Sequence, residues 1–171
     1  MHIKEESVGR HTLAILVDNE PGILARIAGL FTARGYNIES LTVSEISDDH
    51  LISRITIVTS ASAPVMEQII AQLDRLVPVH KVTDLTALGP HVERELALVK
   101  VRGTGDHRIE ALRLGEVYRA RVVDATTASF VFEVTGATEK IDKFVELMEE
   151  LGLVEVARTG IVAIARGAEA A

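Results

Sequence analysis

The chain has no cysteine and no tryptophan, and only two tyrosines and four phenylalanines among its 171 residues. Without cysteine it forms no disulfide, thiolate metal site, iron–sulfur cluster or thiol nucleophile. The scarcity of aromatics leaves few platforms on which single-stranded nucleic acid could stack. Positive charge is also in short supply, with 18 Lys and Arg against 25 Asp and Glu, a net charge of −7. Residues 1–88 hold 7 basic and 11 acidic groups and residues 89–171 hold 11 and 14, so neither half offers the basic face that phosphate neutralisation requires. Both counts argue against nucleic acid as a partner. The longest uncharged stretch, Ile55–Met66, is rich in Ser and Thr and far shorter than the roughly 20 apolar residues that cross a bilayer. The start, MHIKEESVGRH, is polar where a secretory signal would be apolar. The expected setting is the cytoplasm, away from membranes.

What remains is globular in composition, 47% hydrophobic and 25% charged. The length suits two small domains of roughly 80 residues each. Thr12–Val17 alternates, with Leu13, Ile15 and Val17 on one face, and predicts a strand that stops at Asp18. Asn19, Glu20, Pro21 and Gly22 then open a helix, because Pro in a first turn forfeits no hydrogen bond. Its apolar stripe is Ile23, Leu24, Ile27, Leu30 and Phe31, and Gly35 suits a left-handed C-cap. Asn37–Ile46 and Leu51–Thr59 predict a strand pair turning at Asp48 and Asp49. Met66, Ile69, Ile70, Leu73, Leu76 and Val77 mark a second helix ending at Pro78, and His80–Leu85 is extended.

Gly89 and Pro90 then punctuate the chain, which places a domain boundary between residues 88 and 89. The same order begins again. Glu95–Arg102 predicts a strand, 106–118 a helix interrupted by Gly115, Arg121–Thr126 and Ser129–Thr135 a strand pair, Thr138–Leu151 a helix, and Val154–Ala165 β structure. The fold class is therefore α+β, two ferredoxin-like βαββαβ domains in tandem (1–88 and 89–171), each with two helices on one face of a four-stranded antiparallel sheet. The other face stays bare in such a unit, and domains this small bury little surface. A partner or a second copy is expected to cover that face or an edge strand.

The constellation that suggests chemistry is DNEPGILARIAGLF, Asp18–Phe31, where a strand gives way to a helix. Unpaired first-turn N–H groups and the helix dipole favour an anion there. Gly22 lacks a β-carbon and lets a ligand approach the backbone, and Asn19 has both donor and acceptor atoms. A carboxylate fits, since the phosphate-cradling G-x-x-x-x-G-K-[ST] is absent and Gly103 with Gly105 lacks the third glycine of a dinucleotide loop. Ile23, Leu24 and Ile38 could surround a small aliphatic group while Asn19 and the helix amides hold charged ends, a description of a free branched amino acid. The same residues also suit a plain helix start. Catalytic residues are not expected. The six histidines (His2, His11, His50, His80, His91 and His107) show no metal-ligand spacing, no G-x-S-x-G is present, and Glu93, Glu95, Glu149 and Glu150 read as solvated charge. Arg113, Arg119 and Arg121 read as exposed salt-bridge partners.

Asn19 to Leu24, followed by ARGYNIESLTVSE (Ala33–Glu45), resembles the ACT domain of the small, regulatory subunit of acetohydroxyacid synthase, also called acetolactate synthase. SRITIVTS, GPHVERELALVKV, VYRARVVDATT and VEVARTGIVAIARG extend the likeness from about residue 11 to 167. The resemblance implies an N-terminal ACT domain, an ACT-like C-terminal domain and a non-catalytic partner of a large, catalytic subunit. That subunit uses thiamine diphosphate, magnesium and FAD to condense pyruvate with pyruvate or 2-oxobutyrate, and this chain would need no cofactor of its own. It would activate the enzyme and confer feedback inhibition by valine. The resemblance further implies a homodimer through the ACT domains, with valine held by Asn19 and the backbone of Gly22, Ile23 and Leu24 of one chain and by Asn37 and Ile38 of the other. The alternative is a stand-alone ACT-type amino-acid sensor acting on another protein.

Overall fold

The computed structural model describes residues 7–171, so His2 and most of the polar start lie outside it. Two compact units emerge, one of residues up to Val92 together with Ile161–Ala171, the other Glu93–Gly160. The crossing at Val92 lies close to the boundary expected at 88, but residues 161–171, assigned by sequence to the second domain, belong to the first. Periodicity identifies a strand without stating which compact unit it packs in.

The first unit comprises β1 (Gly9–Asp18), α1 (Ile23–Ala33), β2 (Ser40–Glu45), β3 (Ile52–Ala61), α2 (Ala63–Leu73) and β4 (Val79–Asp84). Its antiparallel sheet has the order β2-β3-β1-β4, the ferredoxin-like arrangement. Leu13, Ile15 and Val17 point at the helices and pack with Ile55, Ile57, Ile69 and Leu73. Helix α1 contributes Ile23, Ile27 and Phe31, one residue per turn along a single stripe. Each such burial stabilises by about 1.5–3 kcal/mol.

The other face of this sheet is also covered, by the chain itself. Alternate β1 and β3 residues Thr12, Ala14, Thr56 and Val58 are buried. A short helix, α3 (Leu85–Leu88), and a strand from late in the chain, β9 (Val162–Ala165), supply the cover, with Ala14, Leu85 and Ala163 in one cluster. Ile161 donates its N–H to Ser40 Oγ (2.8 Å) and accepts at its carbonyl from Thr42 Oγ1 (3.0 Å). Arg54 Nη2 donates to the Ala163 carbonyl (2.9 Å), and Arg166 N–H to that of Pro90 (3.1 Å). Sheet side chains thus hold the backbone of the returning strap. The bare face expected for this unit is therefore corrected, since the chain covers it; the expected covering of an edge strand by a partner or second copy is a separate matter.

The second unit repeats the plan with β5 (His91–Arg102, its first residues still in the first unit), α4 (Gly105–Val117), β6 (Arg121–Ala125), β7 (Ser129–Gly136), α5 (Thr138–Glu149) and β8 (Leu153–Arg158). The sheet has five strands where the sequence predicts four: the order is β6-β7-β5-β8, and β9 (Val162–Ala165) also pairs with β5. Ala97, Val99 and Val101 meet Phe130, Phe132, Ile141, Phe144 and Met148 in its core. Two sequence readings need correction here. Gly115 does not interrupt α4; it lies inside the helix because a β-carbon there would come within 2.7 Å of the Phe132 ring. Glu95 is not solvated. Its side chain is 4% exposed and is held by the Arg158 guanidinium, which also reaches Asp142 (2.6 Å). Arg113 and Arg121 form exposed pairs with Glu110 and Glu133 (2.7 Å each). The outer face of this sheet is open, a depression of ≈250 Å³ lined by Leu98, Lys100, Val131, Glu155 and Ala157.

Candidate functional site

Asp18 ends β1 opposite Ile52, and the chain turns into α1 through Asn19–Gly22. The turn is tied down by backbone bonds from Asp18 N–H to Pro78 C=O (2.8 Å) and from Asn19 N–H to Leu51 C=O (2.7 Å). Gly22 caps the helix with φ +87°, a left-handed conformation that favours glycine, and no atom lies within 4 Å of where its β-carbon would be. No side chain caps α1, and its first turn holds no acidic residue. The positive end of the helix dipole therefore has no acidic counter-charge in the first turn, where the Ile23 N–H already donates to the Glu20 carbonyl (3.4 Å). That is the arrangement a carboxylate would complement.

The Asn19 side chain is already engaged. Its Nδ2 donates to Glu45 Oε1 and to the His50 carbonyl, both at 2.9 Å, which uses both amide hydrogens and leaves Oδ1 as acceptor. Glu45 also meets His50 Nδ1 (2.6 Å). The His50 ring, and after it the Asn19 amide, hold the Glu45 carboxyl below the ordinary carboxylate range. Asp18 pairs with His80 (2.6 Å) nearby in the turn. Sequence reading missed Glu45 and His50; they lie 26 and 31 positions from Asn19, and only the β2–β3 turn brings them together.

The remaining site residues divide. Ile23 is buried in the core, so only its backbone can serve a ligand. Leu24 is 40% exposed and offers an apolar side chain in the first turn. Asn37 is exposed, with its carbonyl accepting from Thr59 Oγ1 (2.6 Å), and Ile38 is half-buried against the core. These two sit at the far end of the sheet. Glu39 N–H bonds the Val58 carbonyl (2.8 Å), whereas Asn19 follows the residue opposite Ile52. The length of β3 from Ile52 to Val58 separates the levels, about 20 Å at about 3.4 Å per residue. One copy of the chain therefore does not bring Asn37 to Asn19. Among the described residues no group of three His, Asp or Glu side chains is placed to hold a metal ion, and no helix is long and apolar enough to cross a membrane.

A βαββαβ unit with an uncapped, glycine-led first helix, followed by a second unit of the same plan, defines a tandem ACT-type protein. A family model described as the AHAS small subunit-like ACT domain matches residues 13–81, and one described as the small subunit of acetolactate synthase matches residues 94–167. A probable acetolactate synthase small subunit of Archaeoglobus fulgidus is 48% identical over 158 residues, covering 92% of this chain and 98% of that one. The acetolactate synthase isozyme 3 small subunit of Escherichia coli K12 is 43% identical, covering 92% and 96%. The crystal structure of the small subunit from Thermotoga maritima superposes with a TM-score of 0.86 at 39% identity, covering 94% of this chain and 99% of that one. The chain belongs to the family of acetolactate synthase small subunits.

Proposed function

We propose that this chain is a non-catalytic regulatory subunit that activates a separate large subunit of acetolactate synthase in the cytoplasm and carries inhibition of that enzyme by valine. Thiamine diphosphate, magnesium and FAD belong, in this reading, to the large subunit. One observation carries the ligand site: the start of α1 and the Asn37–Ile38 segment lie at opposite ends of one sheet, about 20 Å apart. A single small amino acid touching both must bridge two copies. Its carboxylate meets the first-turn amides of α1, its ammonium meets Asn19 Oδ1, and Asn37 and Ile38 of the facing copy close over the aliphatic group.

A ligand in such a seam shifts an equilibrium because it binds one packing of the pair better than another. Couplings of this kind are typically about 1–3 kcal/mol. The decisive experiment mixes the purified chain with its large subunit and follows acetolactate formation with and without valine. Activation by the chain and inhibition by valine are expected. Gly22→Asp, which adds a carboxylate where the ligand's own would sit, and Asn37→His should leave activation intact and remove sensitivity to valine. Unchanged inhibition in both variants would refute the site, and failure to stimulate the large subunit would favour a stand-alone sensor.

A further inference from the structure

Within the site just proposed, one residue has a task that no part of the family resemblance assigns. An asparagine amide can present either end to a ligand, since rotation about its last torsion exchanges donor and acceptor. In this chain that choice is made by the neighbours. Both Nδ2 hydrogens of Asn19 are consumed, one by Glu45 Oε1 and one by the His50 carbonyl, at 2.9 Å each. A flipped amide would set Oδ1 against two acceptors and lose both bonds. Glu45 is itself fixed by His50 Nδ1 at 2.6 Å, and its position at the end of β2 is set by pairing with Ser53 of β3.

We infer that Glu45 is a positioning residue that fixes the polarity of Asn19, holding Oδ1 outward as an acceptor so that the site selects ligands carrying an ammonium group beside their carboxylate. This rests on the reading of Asn19 as a ligand residue. The helix start by itself would accept many small carboxylates; the oriented Asn19 oxygen adds a demand for a donor about one turn away. A free α-amino acid meets both demands, and its 2-oxo acid does not, because a carbonyl in place of the ammonium would face Oδ1 acceptor to acceptor. The enzyme's substrates are 2-oxo acids and the proposed effector is an amino acid, so such a filter keeps the regulatory site clear of substrate.

The test is a calorimetric titration of the full-length chain with valine, in the wild type, Glu45→Ala, Glu45→Gln, Asn19→Ala and the Glu45→Ala/Asn19→Ala double variant. Glu45 lies at an exposed end of an edge strand, so thermal unfolding should be nearly unchanged in its variants. Glu45→Ala should weaken valine about tenfold, the scale of one lost hydrogen bond to a charged group. Glu45→Gln should recover most of that loss, because its amide oxygen still accepts from Nδ2. In the Asn19→Ala background the Glu45 substitution should have no further effect. If the wild type binds valine and Glu45→Ala binds it equally well, or the two losses add, or glutamine fails to rescue, the positioning role is overturned while the seam stands. If the wild type gives no heat with valine, the seam reading falls, and the role of Glu45 falls with it.

Discussion

In the first unit the ladder between β1 and β4 slips register between Leu16 and Val17, and in the second the ladder between β5 and β8 slips between Lys100 and Val101. Just past each slip a backbone bond closes the same corner, Asp18 N–H to Pro78 C=O (2.8 Å) and Arg102 N–H to Gly152 C=O (2.9 Å). The backbone plan is thus repeated down to its irregularities, although the side chains are not. The surfaces differ. Helix α1 begins without an acid, whereas α4 carries Asp106 in its first turn and so already satisfies the positive end of its dipole. The first sheet is covered on both faces, and the second keeps Leu98, Lys100 and Val131 on an open one. Shared topology offers both units the same corner; in the function proposed above, the first few residues of one helix decide which unit takes the ligand.

The comparison can be broken most forcefully at the shared corner. Gly152 has φ +101°, and a β-carbon there would stand 2.1 Å from the Arg102 carbonyl oxygen, a contact the backbone cannot relieve. Gly152→Ala should cost about 3 kcal/mol or more and lower the thermal midpoint of the second unit. A variant as stable as the wild type would show that the corner is not rigid. Next in size, Leu24→Asp copies the position of Asp106 onto α1, second residue for second residue. It should weaken valine binding about tenfold or more, read by calorimetry, with little change in stability because Leu24 is partly exposed and an acid suits a helix start. The smallest contrast lies inside the helices. Gly115→Ala drives a β-carbon against Phe132 and should destabilise by about 1–3 kcal/mol, whereas Gly29→Ala, with nothing within 4 Å, should be neutral or stabilising by up to about 1 kcal/mol in denaturant unfolding.

Much of the architecture was legible because its signals are local. The alternation of Leu13, Ile15 and Val17 and the stripe of Ile23, Ile27 and Phe31 follow from strand and helix periods, and the structure puts them in one core. The strand-to-helix turn of the candidate site was legible for the same reason: the end of β1, Asn19 and Gly22 fall within five residues, 18–22. What escaped depends on separation in sequence. Glu45 and His50 reach Asn19 only through strand pairing, Gly115 answers to an aromatic ring on β7, Glu95 to Arg158 on β8, and the strap at residues 161–163 to the Ser40, Thr42 and Arg54 side chains, 121, 119 and 109 positions away. Ile23 looked like a pocket wall because a stripe records which residues are apolar and says nothing about which of them the core has already claimed.

The strap at residues 161–165 also sets an order on synthesis. Domains generally fold as units as they leave the ribosome, N-terminal first. Here the first unit emerges with Ser40, Thr42 and Arg54 still lacking the backbone groups they will hold, and those groups arrive only after all of the second unit has been translated. A ribosome stalled inside α5 would leave a nascent first unit with Leu85 of α3 on its sheet face but without the β9 share of the cover.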